Sequence, residues 1–365
     1  MVADVASVRT EGPYAVRITL TQKNSTFLDY LASAYGPVME SPTALAAHAG
    51  KDHDQTYLQT HDVGTGPYTL TEAKVGVAYQ LKAFPGYWGK KPYFTTVDLP
   101  VIDDLSSEEI QFNDGQIAAI LHDLTAPAIT SYEHNKSVDL FTLPTLESEV
   151  VYVNEHQGFL TSQAARLATL EAIDLKAIDA AVFPDGAIVP PQFGPAHVLP
   201  AGVGKQTIAY DTKALRTLVG KLAFSQRTLT VGYDTGAPDD QLIAENVAAE
   251  LQADGLTTKV VGYETSEIFG WVGSVRDAAS QAPNILVDYF WPDADNPYTW
   301  THISYDPSGG LEYLSCQARG VAALDSQAVA SGSTSLYGEV VAAAQKTGCW
   351  LNVADHDDVM VAQRG

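Results

Sequence analysis

Two carboxylates, Asp293 and Asp295, stand two residues apart in WPDADNPYTW, next to an amide, Asn296. Aromatic residues Tyr289, Phe290, Trp291 and Trp300 flank them. Aromatic walls with one carboxylate suit a small solute that has an apolar body and an ammonium group. A pair of carboxylates could instead do general acid–base work in a hydrolase. No second pair and no nucleophile motif accompanies this one. A turn rich in Asp, Asn and Pro, followed by core aromatics, accounts for the same residues with no ligand. The residue types alone leave all three readings open.

Other reactive residue types are less well placed. HAGKDHDQTYLQTHD holds His48, Asp52, His53, Asp54, His61 and Asp62, but without HExxH or another standard ligand spacing. It reads as a solvated helix and loop, and no metal is expected. VGTGPYTL, with Thr65 and Gly66, lacks the lysine and the following helix of a phosphate loop and reads as a tight turn. GxSxG, a catalytic-cysteine context and the dinucleotide GxGxxG are all absent. The expectation is a protein that is not an enzyme and carries no cofactor.

The strand NILVDYFW feeds straight into the Trp-Asp turn, and parallel sheets bind ligands outside the carboxyl ends of their strands. The clearest element pattern nearby is TLTVGYDT, then PDDQLIAENVAAELQADG, then LTTKVVGYE. Its middle segment has apolar residues on one helical face, acidic residues at its start and Gly255 after its end. Strand–helix–strand of this length predicts a crossover in a parallel sheet. SQAARLATLEAIDLKAIDAAVF predicts one helix, and Glu267–Ala279 another. Residues 14–20 alternate as a half-buried strand, and Tyr68–Glu72 with Ala78–Ala83 predict an antiparallel pair. A lobe boundary falls near residues 145–155.

The chain has 365 residues, 45% of them hydrophobic and 18% charged, enough for more than one lobe with a real core. No apolar run is long enough to span a bilayer. Forty-four acidic residues against 21 basic ones give a formal charge of −23, which repels nucleic acid and anionic lipid and suits a soluble monomer. The opening MVADVASVRTEGPYAVRITL has no basic start and apolar core of a signal peptide, and reads as a strand entered within a longer protein.

Several stretches, in order, carry a resemblance to the family 5 extracellular solute-binding proteins, the dipeptide- and oligopeptide-binding proteins of ABC importers. VGTGPYTLTEAKVGVAYQLKAFPGYWGKKPYF is similar to the family's GTGPY–strand–strand–YWG–KP signature. FNDGQIAAI resembles its Gly–Glu–Ile/Val–Asp helix exit, with Gln116 and Ala118 as departures. VVYVN with AARLATLEAIDLKAI keeps Arg166, Ala172, Ile173 and Asp174, with Ala164 in place of an arginine. WPDADNPYTW resembles the W-x-D-x-x-(D/N)-P turn, and SLYGEVVAAAQKTGCWLNV the late LY-x-x-A-Q helix and strand.

The resemblance implies an α/β fold of the periplasmic-binding-protein type II class, with mixed sheets, lobes joined by a hinge and an N-terminal part missing. It implies lobes at 1–62 (a remnant of lobe II), 63–150 (lobe I, with the GTGPY signature) and 151–365 (the α/β ligand-binding lobe III). It implies capture of a peptide or similar small solute by hinge closure and docking on an ABC permease. The setting would be extracellular, as a lipoprotein or in the periplasm. Asp293 is the expected partner of a ligand amino group and Trp291 a pocket wall. Tyr289, Asn296, Tyr152, Thr65 and Gly66 are further candidates, and Arg276 is a candidate anchor for a carboxylate. The rival functions are a hydrolase using Asp293 and Asp295, and a solute receptor without transport. Cys316 and Cys349 could be two buried thiols or a bridge closing a loop of about 34 residues. An extracellular setting favours the bridge, worth roughly 3–4 kcal/mol by loop entropy.

Overall fold

The run SEVVYV, Ser148–Val153, is buried at every position. A strand covered on both faces belongs in the middle of a sheet with helices above and below. In the computed structural model it does. The structure describes residues 4–102, 104–122, 124–183, 187–272, 282–306, 309–316, 318 and 320–364. The main sheet has the order Thr257–Tyr263, Thr228–Asp234, Ile285–Phe290, Ser148–Val153, Trp350–His356, Ala187–Ile188. The first three strands are parallel, and Ser148–Val153 runs antiparallel to both its neighbours.

Alternation along these strands divides the core in two. Val150, Tyr152, Leu286, Phe290 and Trp350 pack with Trp300, Tyr337 and Val340 on the side of helices Pro297–Tyr305, Val321–Ser331 and Thr334–Thr347. Val151, Val153, Ile285, Val287 and Leu351 pack with Ile178, Leu215, Ile243 and Val247 on the side of helices Leu175–Val182, Lys213–Val219 and Pro238–Ala253. Cys316 and Cys349 form a disulfide with Cα atoms 6.3 Å apart, both residues buried.

The strand–helix–strand at 228–263 is as the sequence predicts: Thr228–Asp234 and Thr257–Tyr263 pair in parallel around helix Pro238–Ala253. Gly255 takes the left-handed turn after the helix, φ 96°. The single helix expected over 162–183 is two, Gln163–Glu171 and Leu175–Val182. Asp174 breaks it. Its carboxylate caps the second helix, accepting from the N–H groups of Lys176 (3.1 Å) and Ala177 (3.3 Å). Of the helix expected at Glu267–Ala279, the described part is Thr265–Phe269. Arg276 lies outside the described residues.

The chain divides into two compact units, one formed by residues up to Ser33 together with those from Leu121 onward, the other by Ala34–Ile120. These boundaries coincide with neither 62/63 nor 150/151. Asp358–Gln363 pairs along its length with Val138–Leu143, tying residues after 121 to the C-terminal end. The N-terminal hairpin, Val5–Thr10 with Val16–Leu20, leads to Ser25, whose N–H donates to the Val329 carbonyl at 3.0 Å. The smaller unit has a three-stranded antiparallel sheet, Tyr68–Lys74, Ala78–Ala83 and Thr96–Pro100, beside helices Pro42–His48, Gln55–Leu58 and Leu105–Asn113. Among the described residues no helix is long and apolar enough to cross a membrane.

Candidate functional site

The carboxyl ends of Thr228–Asp234, Ile285–Phe290 and Trp350–His356 and the start of Ser148–Val153 share one edge of the main sheet. A cavity of about 1820 Å³ opens there, lined entirely from the larger unit. Its floor includes Glu147, Glu149 and His356, and its wall Tyr289, Trp291 and Phe183.

Strand register brings the floor together, because Glu149 lies opposite Tyr289 on one side and Ala354 on the other. His356, two residues beyond Ala354, places Nε2 3.4 Å from Glu147 Oε1 and 3.2 Å from Glu149 Oε1. Phe183 stacks on the imidazole at 5.3 Å. Burial disfavours the charged ring, but the bonds to Glu147 and Glu149 outweigh it and raise the His356 pKa to about 11. At neutral pH the ring is an imidazolium shared by two carboxylates.

Three more carboxylates are buried behind this edge: Asp234, Asp240 and Asp288. Asp234 Oδ1 accepts from Gly236 N–H (2.7 Å) and the Thr265 hydroxyl (2.8 Å). Asp288 is pushed well above the usual carboxylate range by burial and by the charges of Asp234 and Glu149, against a bond from the Tyr313 hydroxyl. Asp240 is pushed up likewise by burial and by Glu149. Glu149 Oε2 and the Asp240 carboxyl find no donor other than each other, and the bond between them helps to raise Asp240. The two carboxyls can bond each other only when one holds a proton.

The residues expected from the sequence distribute unevenly around this cavity. Trp291, 38% exposed, and Tyr289 stand together on its wall with ring centroids 5.3 Å apart. Asp293 is half-buried just beyond them, outside the lining. Its carbonyl accepts the Ser33 hydroxyl, and burial raises its carboxyl. Asp295 is exposed. Asn296 is a helix cap: its Oδ1 accepts Thr299 N–H at 3.1 Å and its Nδ2 donates to Asp29 Oδ2 at 3.3 Å. Asn296→Ala is expected to cost about 1 kcal/mol in chemical denaturation; an unchanged midpoint would leave the cap without energetic weight.

Tyr152 does not line the cavity. It is 1% exposed within the core, edge-on to Tyr313 at 5.4 Å. Its position on the even face of a doubly buried strand turns it into the helix layer. Thr65 and Gly66 belong to the smaller unit, where they line a hollow of about 540 Å³. The Thr65 carbonyl accepts the Trp88 indole N–H at 3.2 Å, so one end of the GTGPY signature is bonded to the other. In the histidine-rich segment, His48 and His61 stack on the two faces of Tyr57, at 3.6 and 4.2 Å.

Glu147, Glu149, Asp240 and His356 were not expected from the sequence. Glu149 carried the signal, as a charge inside an otherwise apolar strand. The paired Asp239 and Asp240 were read only as favourable charges at a helix start, which they also are.

The layered mixed sheet, open at its strand ends, has the type II periplasmic-binding-protein fold. Within that class the chain belongs to the bacterial extracellular solute-binding proteins, family 5, whose family model matches residues 2–311. Among curated proteins it is similar to the dipeptide-binding protein of Escherichia coli (strain K12), 24% identical over 297 residues, covering 75% of this chain and 54% of that one. It is also similar to the nickel-binding periplasmic protein of the same organism, 23% identical over 265 residues, covering 66% of this chain and 50% of that one. The chain thus spans about half the length of the curated relatives it matches. Among solved structures, NikZ from Campylobacter jejuni in complex with Ni(L-His) superposes with a TM-score of 0.83 at 19% identity, covering 99% of this chain and 74% of that one.

Proposed function

We propose that this chain is part of the extracellular substrate-binding component of an ABC importer, capturing a small solute by lobe closure and releasing it to a membrane permease with no bond made or broken. The observation that carries the reading is the cavity of about 1820 Å³ at the strand ends, in a chain that belongs to a solute-binding family. A solute filling such a cavity stabilises a closed state by its differential affinity for that state. The protein works outside the cytoplasm, carried at the membrane surface or free in the periplasm, as a monomer. Trp291 and Tyr289 form an aromatic wall for the apolar part of the solute.

Asp293 is the proposed partner of a ligand amino group in the approach to the cavity. Asp293→Asn keeps the shape and removes the charge. It is expected to weaken binding of an amine-bearing solute at least tenfold in calorimetry, about 1.4 kcal/mol. Unchanged affinity would remove Asp293 from the site. Small-angle scattering tests the closure itself: the radius of gyration of the intact protein should fall when solute is added, and an unchanged value would rule closure out.

A further inference from the structure

Helices Pro297–Tyr305 and Val321–Ser331 bring together a second group of ionisable residues, none of which lines the cavity. His302 and Asp306 stand one turn apart, with His302 Nδ1 3.5 Å from Asp306 Oδ2. Asp325 comes from the second helix, and one ligand atom of each residue lies within 4.8 Å of the other two. Both aspartates are buried, while the His302 side chain is one-third exposed and gives solvent a way in.

Two carboxylates beside a histidine do not by themselves make a metal site, but two buried atoms here lack partners. Asp325 Oδ1 accepts the Thr301 hydroxyl at 2.7 Å, whereas Oδ2 has no hydrogen-bond partner. The Tyr337 hydroxyl, on a residue 3% exposed, has none either, and it lies near enough to feel the Asp325 charge. Burial and the Asp306 charge hold the Asp325 carboxyl up at about 7, against the bond from Thr301. A buried carboxylate in that state calls for a proton or a cation. A proton on Oδ2 would find no acceptor, unlike the one shared by Glu149 and Asp240.

The spacing fits a small transition-metal ion. A direct N–H···O bond prefers about 2.9 Å. Two ligands on a tetrahedral zinc ion, each at about 2.0–2.1 Å from it, stand about 3.4 Å apart. His302 and Asp306 have that separation. One imidazole nitrogen with two carboxylate oxygens suits zinc better than calcium or magnesium, which prefer shells of oxygen. Tyr298 stacks on the His302 ring with centroids 5.0 Å apart and fixes its orientation.

We propose that His302, Asp306 and Asp325 bind one divalent transition-metal ion of the zinc type, with water as the fourth ligand. The ion fastens the helix that follows the Trp291–Asn296 turn to helix Val321–Ser331. The site is separate from the solute cavity and stands whatever the solute is.

The test is calorimetry and thermal melting on the intact chain, stripped with EDTA and titrated separately with zinc, calcium and magnesium chloride. Zinc should bind one-to-one and raise the melting temperature. His302→Gln and Asp325→Asn should each weaken zinc binding tenfold or more. His302→Gln, at a partly exposed position, should keep the metal-free melting temperature, so its loss of affinity is not a loss of fold. His48→Gln/His61→Gln, which removes two exposed histidines of the smaller unit, should leave zinc affinity unchanged. Absence of zinc binding would overturn the proposal, as would zinc affinity that survives His302→Gln. An equal loss in the His48/His61 pair would assign the ion to surface histidines and overturn it too. Calcium or magnesium binding in preference to zinc would do the same.

Discussion

His356→Ala is expected to destabilise the protein by about 3 kcal/mol at pH 7. The substitution takes the positive partner from Glu147 and Glu149 and leaves a carboxylate that is 2% exposed with no counter-charge. The pH dependence identifies the cause. A histidine whose folded pKa is raised from 6.5 to about 11 contributes stability that is fully present below pH 6.5 and is lost as pH rises toward 11. Asp240 and Asp288, both raised, act in the same direction, since folding favours their protonated forms. The wild-type protein should therefore be most stable in mild acid and weaken steadily toward alkaline pH. Urea denaturation at intervals from pH 5 to pH 10 should show that decline, with a shallower slope between pH 8 and pH 10 in the variant. Equal slopes would mean that His356 is not the titrating group.

The second large effect is expected from the disulfide. Cys316 follows the Glu312–Ser315 segment, and its N–H donates to Glu312 Oε1 at 2.6 Å. Cys349 immediately precedes the strand Trp350–His356, and its carbonyl accepts the N–H of Val153 in the central strand at 2.8 Å. The bridge thus fastens a long connection to the middle of the sheet. Closing a loop of 33 residues in the unfolded chain is worth about 3–4 kcal/mol in the loop-entropy account. Cys316→Ala/Cys349→Ala should lose about that much in denaturation, and reduction of the wild-type protein should reproduce the loss. A change under about 1 kcal/mol would show that the loop is already constrained in the unfolded state.

Much of the fold was legible from local pattern. Helix Pro238–Ala253 announced itself by an apolar stripe, an acidic start and Gly255, and its flanking strands paired in parallel as that spacing requires. Asp174 was visible but was read as part of one helix, because apolar spacing continues across it while its capping role depends on the side chain turning back. The unit boundaries were not legible at all. The larger unit joins distant segments, as where Asp358–Gln363 lies against Val138–Leu143, a pairing between residues some two hundred apart that no periodicity encodes.

The candidate site divides in the same way. Trp291 and Tyr289 line the cavity, at the carboxyl end of a parallel strand, where the strand-to-turn pattern pointed. Tyr152 could not be placed, since alternation in a strand buried on both faces does not say which layer each residue meets. The acidic floor escaped because its members come from separate strands and a helix start and meet only through the register of Ser148–Val153 with its neighbours.

Capture without conversion is tested most directly by one measurement. The intact protein is incubated with an extract of small solutes, passed over a sizing column and denatured, and the released compound is weighed by mass spectrometry against the extract. One solute, bound one-to-one and released with its mass unchanged after prolonged incubation, is the predicted result. Release of a cleaved or otherwise altered compound, in an amount that grows with incubation time, would contradict it.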